Sequence, residues 1–241
     1  WIVNPQYPFI DEFNGELARV LIDRKVGFFD TRGTLAIEPI YMEAENFSEG
    51  RARVRLETEI WGFIDPRGKL VFKTEFIPTR FYSEGLVPFR TSLSPKAYMG
   101  YFDRQGRTAI RTRFAFADRF REGLAVIGEK TRNDLEYGYI NPKGRYVVSP
   151  RFSVARRFSE HYAAVAEGKG RDRRFGFINR TGTFAIKPQF LDALDFKNGL
   201  AAVAIWDTME EAIRYGYIAP TGHFKIDPEY VLAKTFMHGV A

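Results

Sequence analysis

The chain contains no cysteine, which excludes disulfides and thiolate–metal sites and leaves an oxidising compartment permitted but unmarked. Histidine is nearly as scarce. His161, His223 and His238 are the three copies in 241 residues, and none has a second ligand at H-x3-H or H-E-x-x-H spacing. No apolar run reaches the ~18–20 residues that a membrane-spanning helix needs. There is no signal-peptide core either, and the chain starts at Trp1 rather than Met, so a processed protein or an excised fragment is expected. A G-x-S-x-G elbow, a P-loop and a dinucleotide fingerprint are all missing. With no unlike reactive groups set to converge on one point, an enzyme is not expected, and no catalytic residue, cofactor or metal is assigned. Charge is present but nearly balanced: 36 Lys and Arg against 30 Asp and Glu leave +6. That favours an acidic partner without amounting to a nucleic-acid tail.

What the chain has in abundance is aromatic residues, 23 Phe and 12 Tyr, and they recur with a period. Residues 61–68 read WGFIDPRG, and altered copies of that phrase run from end to end. Taking one Gly per copy as zero gives Gly27, Gly62, Gly100, Gly138, Gly176 and Gly216, at spacings of 35, 38, 38, 38 and 40. Position plus one is aromatic in each copy, plus three is Asp or Asn except at Ala219, and plus six is Gly without exception. Plus fourteen is aromatic again (Tyr41, Phe76, Phe114, Phe152, Phe190, Tyr230), and so is plus twenty, from Phe47 to Phe236. A further Gly follows at plus twenty-three, replaced once by His161, and then a phrase of the form L-A-x-V. The twenty residues from the first Gly to the last aromatic keep their length. All variation falls between the L-A-x-V phrase and the next Gly, where the span grows from 9 to 15 residues.

Asp or Asn followed three residues later by Gly is turn chemistry, and the flanking phrases are short and rich in β-formers. Each unit therefore reads as an all-β, three-stranded antiparallel element: the L-A-x-V strand, a variable turn, the G-F/Y-I strand, a tight turn and a third strand. Three short strands cannot bury aromatics on two faces alone, so neighbours must stack. The chain is a single tandem array, with a partial unit at 1–20 and units near 21–55, 56–90, 91–128, 129–166, 167–204 and 205–241. Asn4-Pro5-Gln6-Tyr7 through Val20 aligns with Lys187-Pro188-Gln189-Phe190 through Val203, while Gly239-Val240-Ala241 begins another strand. One connecting segment thus occurs once too often for a six-fold ring. An open solenoid or superhelical arc is favoured, with a β-propeller-like closed ring as the alternative.

The combination G-F/Y-I-D-x-x-G, then P-x-F, then F-x-E-G-L-A-x-V resembles the bacterial WG repeat, although only Trp61-Gly62 keeps the Trp-Gly dipeptide. The resemblance covers nearly the whole chain. It implies a β-rich tandem array in a bacterial protein that serves as an interaction module, and it brings no catalytic residues.

Six equivalent copies of a motif favour scaffold over active site. The Glu before the late Gly recurs as Glu49, Glu84, Glu122 and Glu160; a cation or acid–base pair is conceivable, but acceptance from local backbone N–H groups is the plainer reading. His161 stands where Gly is expected, and His tolerates positive φ. The variable turns are the better functional candidates. One carries Lys169, Arg171, Arg173 and Arg174, suited to a phosphate or polyanion but equally to plain solvation. Another carries Trp206, Met209 and Ile213 at the spacing of a short amphipathic helix, which either folds back over the array or offers an apolar anchor. The expected function is protein-partner binding through these turns, in an envelope-associated or secreted protein. The alternative is an acidic polymer or glycan held by the basic turns and exposed aromatics.

Overall fold

A computed structural model describes residues 9–132 and 134–235. The expectations placed on Asn4–Tyr7, Phe236, His238 and Gly239–Ala241 lie outside these residues. The first sheet holds β1–β4 at Phe9–Ile10, Leu17–Ile22, Lys25–Asp30 and Leu35–Tyr41. The second holds β5–β8 at Glu43–Ala44, Ala52–Glu57, Ile60–Ile64 and Leu70–Thr74. The third holds β9–β12 at Ile77–Pro78, Leu86–Arg90, Met99–Asp103 and Thr108–Phe114. In the fourth, β13–β16 run at Phe116–Ala117, Ala125–Lys130, Leu135–Ile140 and Tyr146–Phe152. In the fifth, β17–β20 run at Val154–Ala155, Tyr162–Glu167, Arg174–Asn179 and Phe184–Phe190. In the sixth, β21–β24 run at Asp192–Ala193, Ala201–Asp207, Ala212–Ile218 and Phe224–Tyr230. Every sheet is an antiparallel meander of four consecutive strands. The chain divides into two compact units, of three sheets each, after Phe114.

The three-strand expectation is therefore corrected to four. The added strand is the two-residue pair that follows each fourth strand, taken from sequence as part of a connection. Two residues are too few to show an alternation. What holds the pair is the small residue at plus seventeen: Ala44, Ala117 and Ala193 are buried opposite Val54, Ile127 and Val203.

The aromatic positions explain how sheets stack. The ring at plus one meets the plus-twenty ring of the next sheet: Phe28 with Phe47 at 5.1 Å, Phe63 with Tyr82 at 5.0 Å, Tyr139 with Phe158 at 5.0 Å and Phe177 with Phe196 at 4.7 Å. Their interplanar angles of 59–74° put ring edges toward ring faces, the arrangement a ring quadrupole favours. Each pair buries two large apolar side chains at the joint between sheets, which is why neither position tolerates a polar residue.

The zero Gly is explained by the fourth strand. Tyr137 pairs with Phe152 and Tyr139 with Val148, so the segment between Val148 and Phe152 bulges over Gly138. A Cβ on Gly138 would lie 2.4 Å from the Val148 carbonyl oxygen and 2.7 Å from the Pro150 nitrogen. Pro39, Pro150, Pro188 and Pro228 sit in these bulges on edge strands, where no ladder N–H is demanded of them. The second sheet is the exception. Trp61, Gly62 and Phe63 pair in steady register with Thr74, Lys73 and Phe72, with no bulge across the Gly. β8 ends two residues early, and Phe76 emerges with 40% exposure, whereas Tyr41, Phe114, Phe152 and Phe190 are buried; the remaining counterpart, Tyr230 of the sixth sheet, is 49% exposed. Phe72 replaces the Ile or Val found at plus ten elsewhere, and Thr74 stands where four copies have Pro. Thr112 keeps the bulge without Pro, so the missing Pro permits the regular pairing and does not impose it.

Candidate interaction surface

Each sheet has a constant end and a variable end. At the constant end, Ser48 and Arg51 exchange N–H···O bonds of 2.8 and 3.0 Å around Glu49 and Gly50, whose φ values are +50° and +73°. Both central residues being left-handed makes this a type I′ turn, which suits Asn-Gly far better than Glu-Gly. Glu84, Glu122 and Glu160 adopt the same conformation, with Asn198 in the sixth sheet. The carboxylates show the compensation. Glu49 accepts from the Glu84 N–H at 2.7 Å and the Gly85 N–H at 2.8 Å, and Glu160 accepts from Asn198 and Gly199 at 2.6 and 2.8 Å. The expectation of local backbone partners is thus corrected: the donors belong to the equivalent turn of the next sheet. Burial alone would raise the Glu49 carboxyl; the Arg104 guanidinium at 2.8 Å and the two N–H groups outweigh it and hold the pKa below the usual range. His161 is left-handed at φ +72°, as its Gly position requires, and its N–H donates to Glu122 at 2.9 Å. The recurring Glu is a staple between sheets.

The variable end displays the turns between each second and third strand, together with the link into the next sheet. Of the four cations in the fifth sheet's turn, Lys169 is paired with Asp134 of the fourth sheet. Arg174 folds back, its Nη1 donating to the Arg171 and Arg173 carbonyls at 2.8 Å each. Arg171 and Arg173 point outward from a single 3-10 turn at Gly170–Asp172. In the sixth sheet no helix forms. Trp206 and Ile213 are cross-strand partners in the β22–β23 hairpin, and Met209 sits at its tip, 91% exposed. The helical spacing was coincidental: a hairpin centred between Met209 and Glu210 brings the same two residues opposite each other. The Asp207 carboxylate accepts the Met209 N–H at 2.8 Å and sets the turn. Trp206 and Ile213 remain about half exposed, so they do not fold over the array.

A second feature of this end was not read from sequence. In the first compact unit, an open groove of about 1080 Å³ lies against the turns of the second and third sheets. Its floor is Trp61, Ile60, Ile77 and the displaced Phe76; Leu93, 80% exposed, stands over it from the long 91–98 turn. Phe76 stacks on Phe89 at 5.1 Å, and Phe89 on Phe102 at 3.8 Å, so the floor is anchored to the core. The Trp61 ring is held by two guanidinium groups, Arg53 at 4.3 Å and Arg55 at 5.6 Å. Arg53 is buried, donating to the Pro78 carbonyl at 2.7 Å and pairing with Glu45 at 3.0 Å; Arg55 pairs with Glu43 at 2.5 Å. Glu57, Glu59 and Glu75 line the rim, exposed and without an ion-pair partner among the described residues. Phe72 at plus ten and the absent Pro at plus twelve were the signals that marked this copy as different. Among the described residues there is no group of three or more His, Asp or Glu able to hold a metal, and no helix is long and apolar enough to cross a membrane.

The sequence profile of the WG containing repeat matches six segments, residues 1–25, 27–57, 61–91, 99–128, 137–169 and 175–205. No curated protein matches the chain. Among solved structures, a eukaryotic initiation factor is similar in fold over 94% of this chain and 67% of its own, with a TM-score of 0.60 at 10% identity. Kluyveromyces lactis Hsv2 with its loop 6CD replaced by a Gly-Ser linker is similar over 86% of this chain and 74% of its own, with a TM-score of 0.50 at 9% identity. The β-propeller domain of the Trilobed protease from Pyrococcus furiosus matches over 92% and 85%, with a TM-score of 0.46 at 9% identity.

Proposed function

Because the chain belongs to the family of WG containing repeats, we propose that it is a non-catalytic interaction module that engages a protein partner through the variable end of its sheets. The observation that carries this reading is the division of labour between the two ends. At the constant end, the turn carboxylates Glu49 and Glu160 are consumed in stapling one sheet to the next. At the variable end, turn lengths differ, and Trp206, Met209, Ile213 and Leu93 stay exposed beyond what folding requires. The polyanion reading is weaker, since Lys169 and Arg174 are already engaged and Arg171 and Arg173 alone make a small basic patch.

A photo-crosslinking residue placed at Met209 or Leu93 should give adducts with a partner in the native host. The same residue at Arg32 or Arg67, on the constant end, should give none. Adducts of equal yield from both ends, or from the constant end alone, would overturn the assignment.

A further inference from the structure

We propose that the Trp61–Phe76–Leu93 groove binds an extended segment of a partner protein in which Lys or Arg alternates with apolar side chains. The proposal rests on the reading of the variable end as the binding face and names the chemistry of its occupant. Three observations converge on that chemistry. First, the groove is a built feature: it exists because the second sheet keeps regular pairing where its neighbours bulge, which carries Phe76 out of the core and onto the Phe89–Phe102 stack. Second, its floor is apolar and only partly buried, and Leu93 stands 80% exposed beside it. Aromatic and aliphatic floors of this kind serve as anchor pockets in protein interfaces.

Third, the charge around the groove runs against that of the chain. Of the charged residues that line the groove, Glu57, Glu59 and Glu75 stand with Arg55, three negative charges against one positive, a local balance of −2 on a chain of net +6. Arg55 is already neutralised by Glu43, leaving Glu57, Glu59 and Glu75 open to an incoming cation. A partner cation there relieves their mutual repulsion, whereas a phosphate or sulfate polymer is repelled. The walls are open and the volume lies above the usual ~300–1,000 Å³ of an enclosed ligand pocket. An extended chain with side chains on alternate faces matches an apolar floor beneath an acidic rim.

The test uses the whole chain and an array of fluorescein-labelled nonapeptides alternating Lys or Arg with Leu, Val or Phe, each beside a counterpart with Glu in the basic positions. Anisotropy should show saturable binding of basic members and none of acidic ones. Leu93→Ser, at a position too exposed to affect folding, should weaken binding about tenfold, as loss of an interface anchor does. The triple variant Glu57→Gln, Glu59→Gln, Glu75→Gln should weaken it by a similar factor and flatten its salt dependence. The inference is overturned if no basic member binds, if acidic members bind equally, or if either variant binds like the parent. Should the array stay silent while crosslinks form at Met209, the groove assignment fails and the variable-end reading stands. Crosslinks confined to the constant end would remove both.

Discussion

Replacing Glu49 tests the staple that joins the second and third sheets. The parent residue sits at φ +50°, a conformation that costs an L-residue roughly 1–2 kcal/mol. In return its carboxylate accepts three charge-assisted bonds of 2.7–2.8 Å, two from backbone N–H groups and one from Arg104. Bonds to charged groups contribute about 1.5–3 kcal/mol each at best, and the side chain here is 28% exposed, so the set is placed at about 2 kcal/mol. Glu49→Ala loses the bonds and keeps the strain, for a cost of about 2 kcal/mol, equivalent to roughly 4–8 °C in a chain of this size. Glu49→Gly also loses the bonds but relieves the strain, less the greater freedom of Gly in the unfolded chain, and should recover about 1 kcal/mol. Urea unfolding gives the ranking, and hydrogen exchange at the Glu84 and Gly85 amides reports the staple directly. The pH dependence has a definite sign. The folded carboxyl is held below the usual range, so its stabilisation is present above the unfolded pKa of about 4.3 and is lost as pH falls through the folded value. The gap between parent and Glu49→Ala should therefore close in acid. An Ala variant within about 0.5 kcal/mol of the parent at neutral pH, or a Gly variant less stable than the Ala one, refutes the staple.

Three further substitutions test the frame. Gly138→Ala drives a Cβ to 2.4 Å from the Val148 carbonyl oxygen, against backbone that cannot yield, and should cost about 3 kcal/mol or more. The same change at Gly62 meets first the Leu70 Cδ1 at 2.8 Å, a side-chain end that can turn away, so Gly62→Ala should cost less in parallel urea titrations; equal losses would contradict the missing bulge. Tyr139→Phe removes the 2.7 Å bond from the buried hydroxyl to the Arg156 carbonyl and should cost about 1 kcal/mol near neutral pH. Burial pushes the Tyr139 pKa well above 10, so the hydroxyl's stabilisation is complete below the unfolded pKa and is lost as pH rises past it. Alkaline unfolding followed by far-UV circular dichroism should show the Phe variant losing its deficit above about pH 10; a deficit that persists at pH 11 refutes the assignment.

The frame was legible because its physics repeats. A Gly under a bulge recurs in five of the six sheets, and the joint rings and left-handed turn residues recur beside it, so chance agreement averages out and the period stands clear. The two-residue first strands escaped because Glu43–Ala44 or Asp192–Ala193 is too short to carry a pattern, and their evidence lies across the ladder in Val54 and Ala204. The Glu partners escaped for a related reason: a contact between residues 49 and 84 is local in the array but distant in the chain, and a single unit read alone does not contain it. Trp206 and Ile213 were found as a pair but given the wrong element, since a seven-residue separation fits two turns of helix and a four-residue hairpin loop equally well.

The groove escaped for the opposite reason. It arises where one copy departs from the rest, and a search for recurrence discards departures. Trp61-Gly62 looks like the most orthodox copy because it alone keeps the family dipeptide, yet it is the one whose fourth strand pairs without a bulge across the Gly. Residues that recur six times are held by the demands of folding, and the Trp61 copy meets those demands while releasing Phe76. Sequence positions that break the period without breaking the sheet are therefore where a repeat protein is free to acquire a partner. By that criterion Phe72, Thr74 and the 91–98 turn rank above every residue of the shared motif, and Phe76, which keeps the motif's aromatic, matters through its displacement.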